Sequence, residues 1–149
     1  MIIAVLSDSH GYLKPEVISG IKGVEHIIHA GDFDNRAILN KLVEIAPVTC
    51  VRGNCDVWWG RDLPETASIE CEGVKIFVIH DKWRISGDIS DYDIVIYGHS
   101  HQYSEERRNG QTWFNPGSCG NRRYDPYLTY AVLTIENGEF SFERRNIVI

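Results

Sequence analysis

The sequence predicts a layered α/β fold in which two β-sheets pack face to face with helices on the outside. Short runs rich in Val and Ile recur along the chain, which is typical of buried strands. In the first part of the chain these runs alternate with segments of helical periodicity. In the last third they are separated by turn sequences such as Asn109-Gly110 and Asn137-Gly138, which favour hairpins. We expect a single domain over residues 1–149, because the chain has the length of one domain and no internal repeat.

Each element follows from the same patterns. Apolar runs predict five strands in the first two thirds, at Ile2–Leu6, His26–His29, Pro47–Val51, Val74–Ile79 and Ile94–Tyr97. Helical spacing is weak over Glu16–Lys22 and stronger over Arg36–Ile45, where one face carries Ile38, Leu39, Leu42 and Ile45. The last third predicts four further strands, at Tyr103–Arg107, Thr112–Asn115, Tyr127–Glu136 and Glu139–Asn146.

The net charge of -6 argues against stable nucleic-acid binding, because such binding depends on Lys and Arg displacing counterions around phosphates. Any small phosphate that the chain binds therefore needs local positive charge. Arg122 and Arg123 follow the turn sequence Asn115-Pro116-Gly117-Ser118 and are the arginines best placed to contact a phosphate. A surface role is the alternative for both.

Cysteine usage and hydropathy favour a cytoplasmic protein without a membrane segment. The four cysteines form no Cys-x-x-Cys pair, and free thiols are the default in a reducing compartment. The apolar start, Met1 to Leu6, is short and lacks a basic leading segment, so it does not resemble a signal peptide. No other stretch approaches the length of a membrane span.

Side chains that bind metals follow five of the predicted strands, at the point where each strand ends. They are Asp8, His10, Asp32, Asn54, His80, His99 and His101. Because the loops beyond the carboxyl ends of parallel strands converge on one crevice, we expect these seven side chains to lie together. Asp8 and His10 are two residues apart, as are His99 and His101, so each pair shares one side of an extended backbone.

All seven candidates offer oxygen or imidazole nitrogen, and none is a thiolate. This donor set favours Mn, Fe, Zn, Ni or Co over a structural cysteine–zinc site, and we place manganese first. Seven ligands exceed the needs of one ion with an open position, whereas two ions that share one carboxylate use them all. We therefore expect two divalent metal ions per chain.

The charge of such a centre narrows the substrate. Two divalent cations carry four positive charges, and Asp8, Asp32 and a bridging hydroxide offset three of them. The remainder matches the single negative charge of a phosphodiester better than the two charges of a phosphomonoester.

In this order, Asp8-x-His10, Gly31-Asp32, Gly53-Asn54, His80 and Gly98-His99-x-His101 resemble the motifs of the calcineurin-like metallophosphoesterases. The chain is similar in particular to the small bacterial and archaeal phosphodiesterases of that superfamily, which also match at Gly53-Asn54-Cys55-Asp56 and Asn115-Pro116-Gly117-Ser118. The resemblance spans nearly the whole chain. It implies a four-layer α/β/β/α sandwich of two mixed sheets flanked by helices.

The resemblance also implies how the ligands are divided between two metal ions that Asp32 bridges. One ion is assigned to Asp8, His10, Asp32 and His101, and the other to Asp32, Asn54, His80 and His99. The implied reaction is in-line attack of a metal-activated hydroxide on phosphorus, without a covalent enzyme intermediate. The expected activity is that of a metal-dependent phosphodiesterase on a small phosphoester, with the seven residues as its catalytic and metal-binding set.

Two positions depart from the family pattern. Cys55 follows the metal-binding Asn where many relatives carry a His that acts as general acid, and a thiol is a poor proton donor to an alkoxide. We therefore expect slow turnover of poorly activated esters and better turnover of activated aryl diesters. Asp81 stands where relatives often have Gly, and it adds negative charge near the second ion.

Alternatives remain for function and for several residues. A phosphomonoesterase acting on small phosphates or nucleotides has the same motifs, and a non-catalytic metal-binding scaffold resembles the retromer subunit of this fold. Trp58-Trp59 is expected at a subunit interface, or else on the wall of the substrate cleft. Relatives often assemble, so a homodimer or higher homo-oligomer is expected. His26 and His29 lie inside a predicted strand and are expected to be structural.

Overall fold

The computed structural model describes residues 1–121, 123 and 126–147. In chain order its strands are β1 (Ile2–Leu6), β2 (His26–His29), β3 (Val48–Cys50), β4 (Thr66–Cys71), β5 (Val74–Ile79), β6 (Ile94–Ile96), β7 (Ser104–Arg108), β8 (Gln111–Asn115), β9 (Leu128–Glu136) and β10 (Glu139–Ile147). The helices are α1 (Pro15–Gly20), α2 (Arg36–Val43) and a 3₁₀ turn at Lys82–Arg84.

The strands form two five-stranded mixed sheets. The first sheet has the order β10-β9-β1-β2-β3, with β1, β2 and β3 parallel and the β9–β10 hairpin antiparallel to β1. The second has the order β4-β5-β6-β8-β7, with β5, β6 and β8 parallel between antiparallel edge strands. Six parallel strands thus supply carboxyl-terminal loops, three from each sheet.

The residues of β1 alternate between two hydrophobic cores. Ile3 and Val5 face the core between the sheets, which also contains Ile76, Ile96, Phe114 and Leu133. Ala4 and Leu6 face the opposite way, into a core that the helices cover with Val17, Ile21, Ile38 and Leu42. Because both faces of β1 are buried, its sequence is a continuous apolar run without polar alternation.

The predicted sandwich of two mixed sheets is confirmed. The nine predicted strands are present, each within one residue of its expected bounds, and both helices lie within two. Helices are few. The second sheet is contacted instead by the connection between β5 and β6, which contains the 3₁₀ turn. In this connection the ring of Tyr92 lies 5.2 Å from that of Phe77, measured between centroids.

Two details of the sheets differ from the sequence-based expectation. β4 was not predicted, because Thr66–Cys71 is a half-exposed edge strand that contains no run of Val and Ile. β8 was expected in a hairpin region, and it does pair antiparallel with β7. It also pairs parallel with β6, so its carboxyl end delivers a sixth loop to the same side of the molecule.

Two further findings concern the cysteines and the helices. The four cysteines, at positions 50, 55, 71 and 119, are free thiols. Within the described ranges, no helix has the length and apolar character needed to cross a membrane.

Candidate metal centre

The loops that follow the parallel strands are tied to one another by hydrogen bonds. The amide of Asp8 donates to the carbonyl of Gly31, and the amide of His10 donates to the carbonyl of Asp32, both at 3.0 Å. From the other sheet, the amide of His99 donates to the Asp8 carboxylate (3.0 Å). These bonds bring loops from both sheets together, and all seven predicted ligands lie in the resulting cluster.

Asp8, His10 and His101 form one compact group of donor atoms. Oδ1 of Asp8 lies 3.3 Å from Nε2 of His101 and 3.6 Å from Nε2 of His10. The two imidazoles approach to 3.2 Å between their Nε2 atoms. Oδ2 of Asp32 lies 3.7 Å from Nε2 of His10 and so borders this group.

Asn54, His80 and His99 form a second group on the other side of Asp32. The same Oδ2 of Asp32 lies 3.2 Å from Nε2 of His80. Oδ1 of Asn54 lies 3.1 Å from Nε2 of His80 and 3.2 Å from Nδ1 of His99. Asp32 therefore lies between the two groups, in the position that a bridging carboxylate requires.

Three of the imidazoles are oriented by hydrogen bonds on their outer side. His80 and His101 donate through Nδ1 to main-chain carbonyl oxygens at 2.7 and 2.9 Å, and His10 donates through Nδ1 to the carboxylate of Asp34 at 3.1 Å. Because these partners accept only, each Nδ1 carries the hydrogen of the neutral ring. Each Nε2 then presents its lone pair to the cluster, which is the tautomer that binds metals.

The inward-facing atoms fit a metal ion chemically. Oδ1 of Asp8 is buried and has no hydrogen-bond partner among the residues that the structure describes. It faces the Nε2 atoms of His10 and His101, while Oδ2 of Asp32 faces Nε2 of His80. Acceptors that face each other in a buried site are unfavourable unless a cation lies between them. Carboxylate oxygen, amide oxygen and imidazole nitrogen together suit divalent transition metals.

The electrostatics of the cluster also attract positive charge. The neighbouring Asp8 carboxylate, together with the charge of Asp34, raises the pKa of His10 to about 9 despite burial. Burial opposes ionisation of Asp8, but the neighbouring rings of His10, His101 and His80 favour the carboxylate and hold its pKa well below the usual range. Burial likewise opposes a charge on His80, and the neighbouring carboxylates of Asp32 and Asp8 still raise its pKa.

The backbone at the cluster is strained. Five of the seven predicted ligands have a left-handed backbone, with φ of 54° at Asp8, 47° at His10, 63° at Asp32, 74° at His99 and 62° at His101. Such a conformation costs a non-glycine residue about 1–3 kcal/mol and concentrates at functional sites. The loops must also approach closely: a Cβ at Gly53 would overlap the Asp32 carboxylate.

Comparison with known proteins identifies the family. A family profile described as the calcineurin-like phosphoesterase superfamily domain matches residues 1–138. The chain belongs to this superfamily. A probable metallophosphoesterase of Methanothermobacter thermautotrophicus is 33% identical over 132 residues, which cover 79% of this chain and 77% of the relative.

Two further similarities define the breadth of the family. A protein named phosphodiesterase MJ0936, from Methanocaldococcus jannaschii, is 29% identical over 140 residues, covering 80% of this chain and 84% of that protein. The crystal structure of Vps29 from Chaetomium thermophilum has a TM-score of 0.81 at 16% identity and covers 99% of this chain and 95% of that one. At this identity, the likeness to Vps29 concerns the fold alone. The predicted membership is confirmed, and the chain is a hydrolase of the metallophosphoesterase class.

Asp56 is a supporting residue of this phosphoesterase site that the ligand pattern did not single out. Its buried carboxylate accepts hydrogen bonds from the amides of Asp32 (2.8 Å), Asp34 (3.0 Å) and Gly53 (2.9 Å) and from the indole of Trp59 (3.0 Å). It therefore joins the loop after β2 to the loop after β3. The sequence signal was the match at Gly53-Asn54-Cys55-Asp56, which gave no role to its last residue.

The turn Asn115-Pro116-Gly117-Ser118 contacts two of the ligand loops. The Asn115 amide donates to the carbonyl of Gly98 (3.2 Å) and to the hydroxyl of Ser100 (3.0 Å). The Ser118 hydroxyl donates to the carbonyl of Asp8 (2.7 Å). The sequence left this turn open between a plain turn and a support of the metal site, and its contacts favour the support.

The two remaining histidines lie apart from the cluster, in β2. His29 is fully buried, and burial lowers its pKa to about 3. Its Nδ1 accepts from the amide of Gly31 (3.1 Å), so its Nε2 donates to the hydroxyl of Ser9 (3.0 Å). His26 contacts the hydroxyl of Thr49 (2.7 Å). These contacts agree with the structural role expected for both, and those of His29 brace the Asp8–His10 loop from behind.

The two departures from the family pattern lie at the edge of the cluster. Cys55 is exposed, yet its sulfur lies within 4.8 Å of ligand atoms of His10 and Asp32, a proximity that sequence reasoning missed. Partial burial and the Asp32 carboxylate raise the pKa of this thiol to about 11. The carboxylate of Asp81 accepts from the amide of Trp83 (3.1 Å) and so caps the 3₁₀ turn.

The remaining predicted contacts stay open. Trp58 is 86% exposed, whereas Trp59 packs edge-on against Phe33 at 5.4 Å between ring centroids. The two tryptophans thus differ, and the interface or cleft role of Trp58 stays a prediction. Arg123 is exposed, and Arg122 lies outside the described residues.

Proposed function

We propose that this chain hydrolyses phosphodiesters by in-line attack of hydroxide, with two divalent metal ions held by the seven clustered side chains. The observation that carries the proposal is the placement of Asp32, whose Oδ2 lies 3.7 Å from His10 and 3.2 Å from His80. A single carboxylate oxygen that faces both imidazole groups suits a bridge between two cations. Manganese is our first choice of metal.

Two divalent ions, when bound, supply Lewis acidity and a hydroxide nucleophile at neutral pH. The side chains of the site determine where the ions and the substrate lie. Asp8 and His101 are buried and anchor one side, while Asn54 and His99 are exposed and face the substrate. Asp8, Asp32 and the hydroxide contribute three negative charges against the four positive charges of the two ions, so the loaded site retains charge for about one anionic group, which favours a diester over a monoester.

The relative from Methanocaldococcus jannaschii supports this choice, because it is named a phosphodiesterase. Cys55 modifies it. Since a thiol is a poor proton donor to an alkoxide, we expect efficient turnover only of diesters whose leaving group departs as a stable anion, such as an aryloxide. Similar rates on aryl and alkyl diesters would contradict this expectation.

A direct test combines metal analysis with an assay. Purified protein saturated with Mn²⁺ is expected to bind two ions per chain and to hydrolyse bis-p-nitrophenyl phosphate faster than p-nitrophenyl phosphate. A chelator should abolish both reactions, and Asp32→Asn should lower both metal content and rate. Fewer than two ions at saturation would contradict the two-metal proposal.

Two outcomes of this assay favour other functions. A faster rate on the monoester would favour a phosphomonoesterase acting on small phosphates or nucleotides. If the metal-loaded protein hydrolyses no ester, the result would favour a non-catalytic scaffold. The fold likeness to Vps29 is consistent with that alternative. Self-association into a dimer or higher oligomer is a separate prediction, which light scattering checks.

A further inference from the structure

A cleft of about 440 Å³ opens beside the second group of ligands. Asn54, His80 and His99 are among the residues that line it. Its other walls come from the segment after β3 and from the 3₁₀ turn after β5, and they include Arg52, Gly53, Val57, Arg61, Glu65, Ile79, Asp81 and Arg84. A diester whose phosphate lies at the metal ligands can place one of its two ester substituents in this cleft.

Three arginines line the cleft, in a chain whose net charge is -6. Arg52, Arg61 and Arg84 come from separate positions in the sequence, so only the fold brings them together. Two acids, Glu65 and Asp81, line the same walls. The Asp81 carboxylate is already engaged at the amide of Trp83, which leaves the arginines in excess.

The arginines retain hydrogen-bonding capacity. Glu65 lies 3.5 Å from Arg52 and 3.7 Å from Arg84, beyond the range of a good charged hydrogen bond. No carboxylate lies within 4.0 Å of Arg61 among the described residues, although its carbonyl accepts from Arg52 (3.3 Å). Guanidinium groups bind phosphate through paired N–H donors, and a weakly held carboxylate between two of them is readily displaced.

We infer that this cleft binds a second phosphate of the substrate, carried on one of the two ester substituents. This inference rests on the proposed function and narrows it: the preferred substrates are phosphodiesters that bear a further phosphate, rather than simple dialkyl or diaryl diesters. Arg61 and Arg84 determine this preference, and Glu65 opposes it because it competes for the same guanidinium groups.

The test uses two substrates that differ only in the second phosphate: thymidine 5′-(p-nitrophenyl phosphate) and the same compound with a 3′-phosphate. With Mn²⁺-loaded protein, we expect kcat/KM to be about tenfold higher for the compound with the added phosphate. Arg61→Gln and Arg84→Gln should each reduce this ratio at least threefold, with little change for the simpler compound. Glu65→Gln should increase the ratio.

Arg108→Gln is the matched control, because Arg108 is also exposed and paired with an acid, Glu106, but lies on β7 outside the cleft. It should leave the ratio unchanged. A ratio near one for the unmodified chain, or a ratio that neither cleft variant alters, would overturn the inference.

A binding measurement separates failure of the inference from failure of the proposed function. Calorimetry should show that thymidine 3′,5′-bisphosphate binds the Mn²⁺-loaded protein about tenfold more tightly than thymidine 5′-monophosphate, and that Arg61→Gln removes this difference. If neither ester is hydrolysed but this difference in binding is found, the proposed function fails and the phosphate site stands. If the diesters are hydrolysed and both nucleotides bind equally in every variant, the phosphate site fails and the proposed function stands.

Discussion

The two groups of the metal centre differ in how the protein holds them. We call Asp8, His10 and His101 the closed half, and Asn54, His80 and His99 the open half. Each side chain of the closed half has an outer hydrogen-bond partner, and Asp8 and His101 are buried. In the open half, His80 has a main-chain partner and Asn54 has a long contact with the Cys55 sulfur (3.5 Å), while Asn54 and His99 are exposed.

The difference separates two tasks within one site. A ligand whose rotamer is fixed by its surroundings loses little entropy when it binds an ion, so the closed half is suited to tight binding. The open half faces the cleft, where ligands must leave room for a substrate. We therefore expect the ion of the closed half to bind first and to exchange more slowly.

The largest expected effect compares two histidines of one loop. His101→Ala should weaken the tighter of two Mn²⁺ sites about a thousandfold, since each ligand of a well-formed site contributes about 3–4 kcal/mol to metal binding. His99→Ala should weaken mainly the other site, and by less. Calorimetric titration of both variants checks this, and equal losses at both sites would remove the distinction between the halves.

The next largest effect concerns Asp56, which lies behind both halves. Asp56→Asn replaces an acceptor of four hydrogen bonds with a side chain that can accept at only one of its two terminal atoms. We expect a loss of about 3 kcal/mol in the free energy of unfolding, measured by urea titration without metal. Asp62→Asn is the control, because Asp62 is 67% exposed in a surface pair with Arg36. Similar losses in both variants would contradict the supporting role.

A smaller effect depends on pH and tests the bracing of the closed half by His29. The pKa of His29 is about 3 in the folded chain and about 6.5 when unfolded. Below pH 6.5 the unfolded state binds the proton more readily, so stability from this residue falls as pH falls. The stability advantage of the unmodified chain over His29→Gln should shrink by about 2 kcal/mol between pH 6.5 and 5. Urea titrations at both pH values measure it, and a constant advantage would contradict it.

The smallest effect concerns the rim of the open half. Cys55→His supplies a better proton donor and should raise kcat/KM for alkyl diesters about tenfold, with little change for aryl diesters. Cys55→Ser removes the thiol without supplying such a donor and serves as the control. An equal gain on aryl diesters would show that proton donation does not limit the slower reaction.

The strands, and which side chains cluster at the candidate site, could be predicted because each depends on local sequence. A buried strand such as β5 is recognised by its run of apolar residues, chiefly Val and Ile. A polar residue that directly follows a parallel strand lies in the loop at the carboxyl edge of the sheet. β4 was missed because an edge strand needs no such run. The candidate ligands were identified from the residues that follow strand ends. The distances between their oxygen and nitrogen atoms came only from the structure.

The supporting residues could not be predicted in this way. Asp56 looks like any acid in a turn, and its role depends on amides 22 and 24 residues earlier in the chain that the fold places beside it. The arginines of the cleft come from two segments, Arg52 and Arg61 from the connection between β3 and β4 and Arg84 from the 3₁₀ turn after β5, so no short sequence window contains all of them. Arg122 and Arg123 were predicted to contact a phosphate because they follow the turn Asn115-Pro116-Gly117-Ser118, and that contact stays a prediction.

The pairing of β1 with β9 has a consequence for how the protein is made. The first strand acquires its second neighbour only when residues from Leu128 onward are available, as Ala131 pairs with Val5. During synthesis, the sheet around β1 therefore stays incomplete until β9 has been made, and such long-range pairing slows folding. The Ser118 hydroxyl that holds Asp8 arrives almost as late. We expect the ribosome-bound chain to acquire metal only after the residues of β9 have been translated.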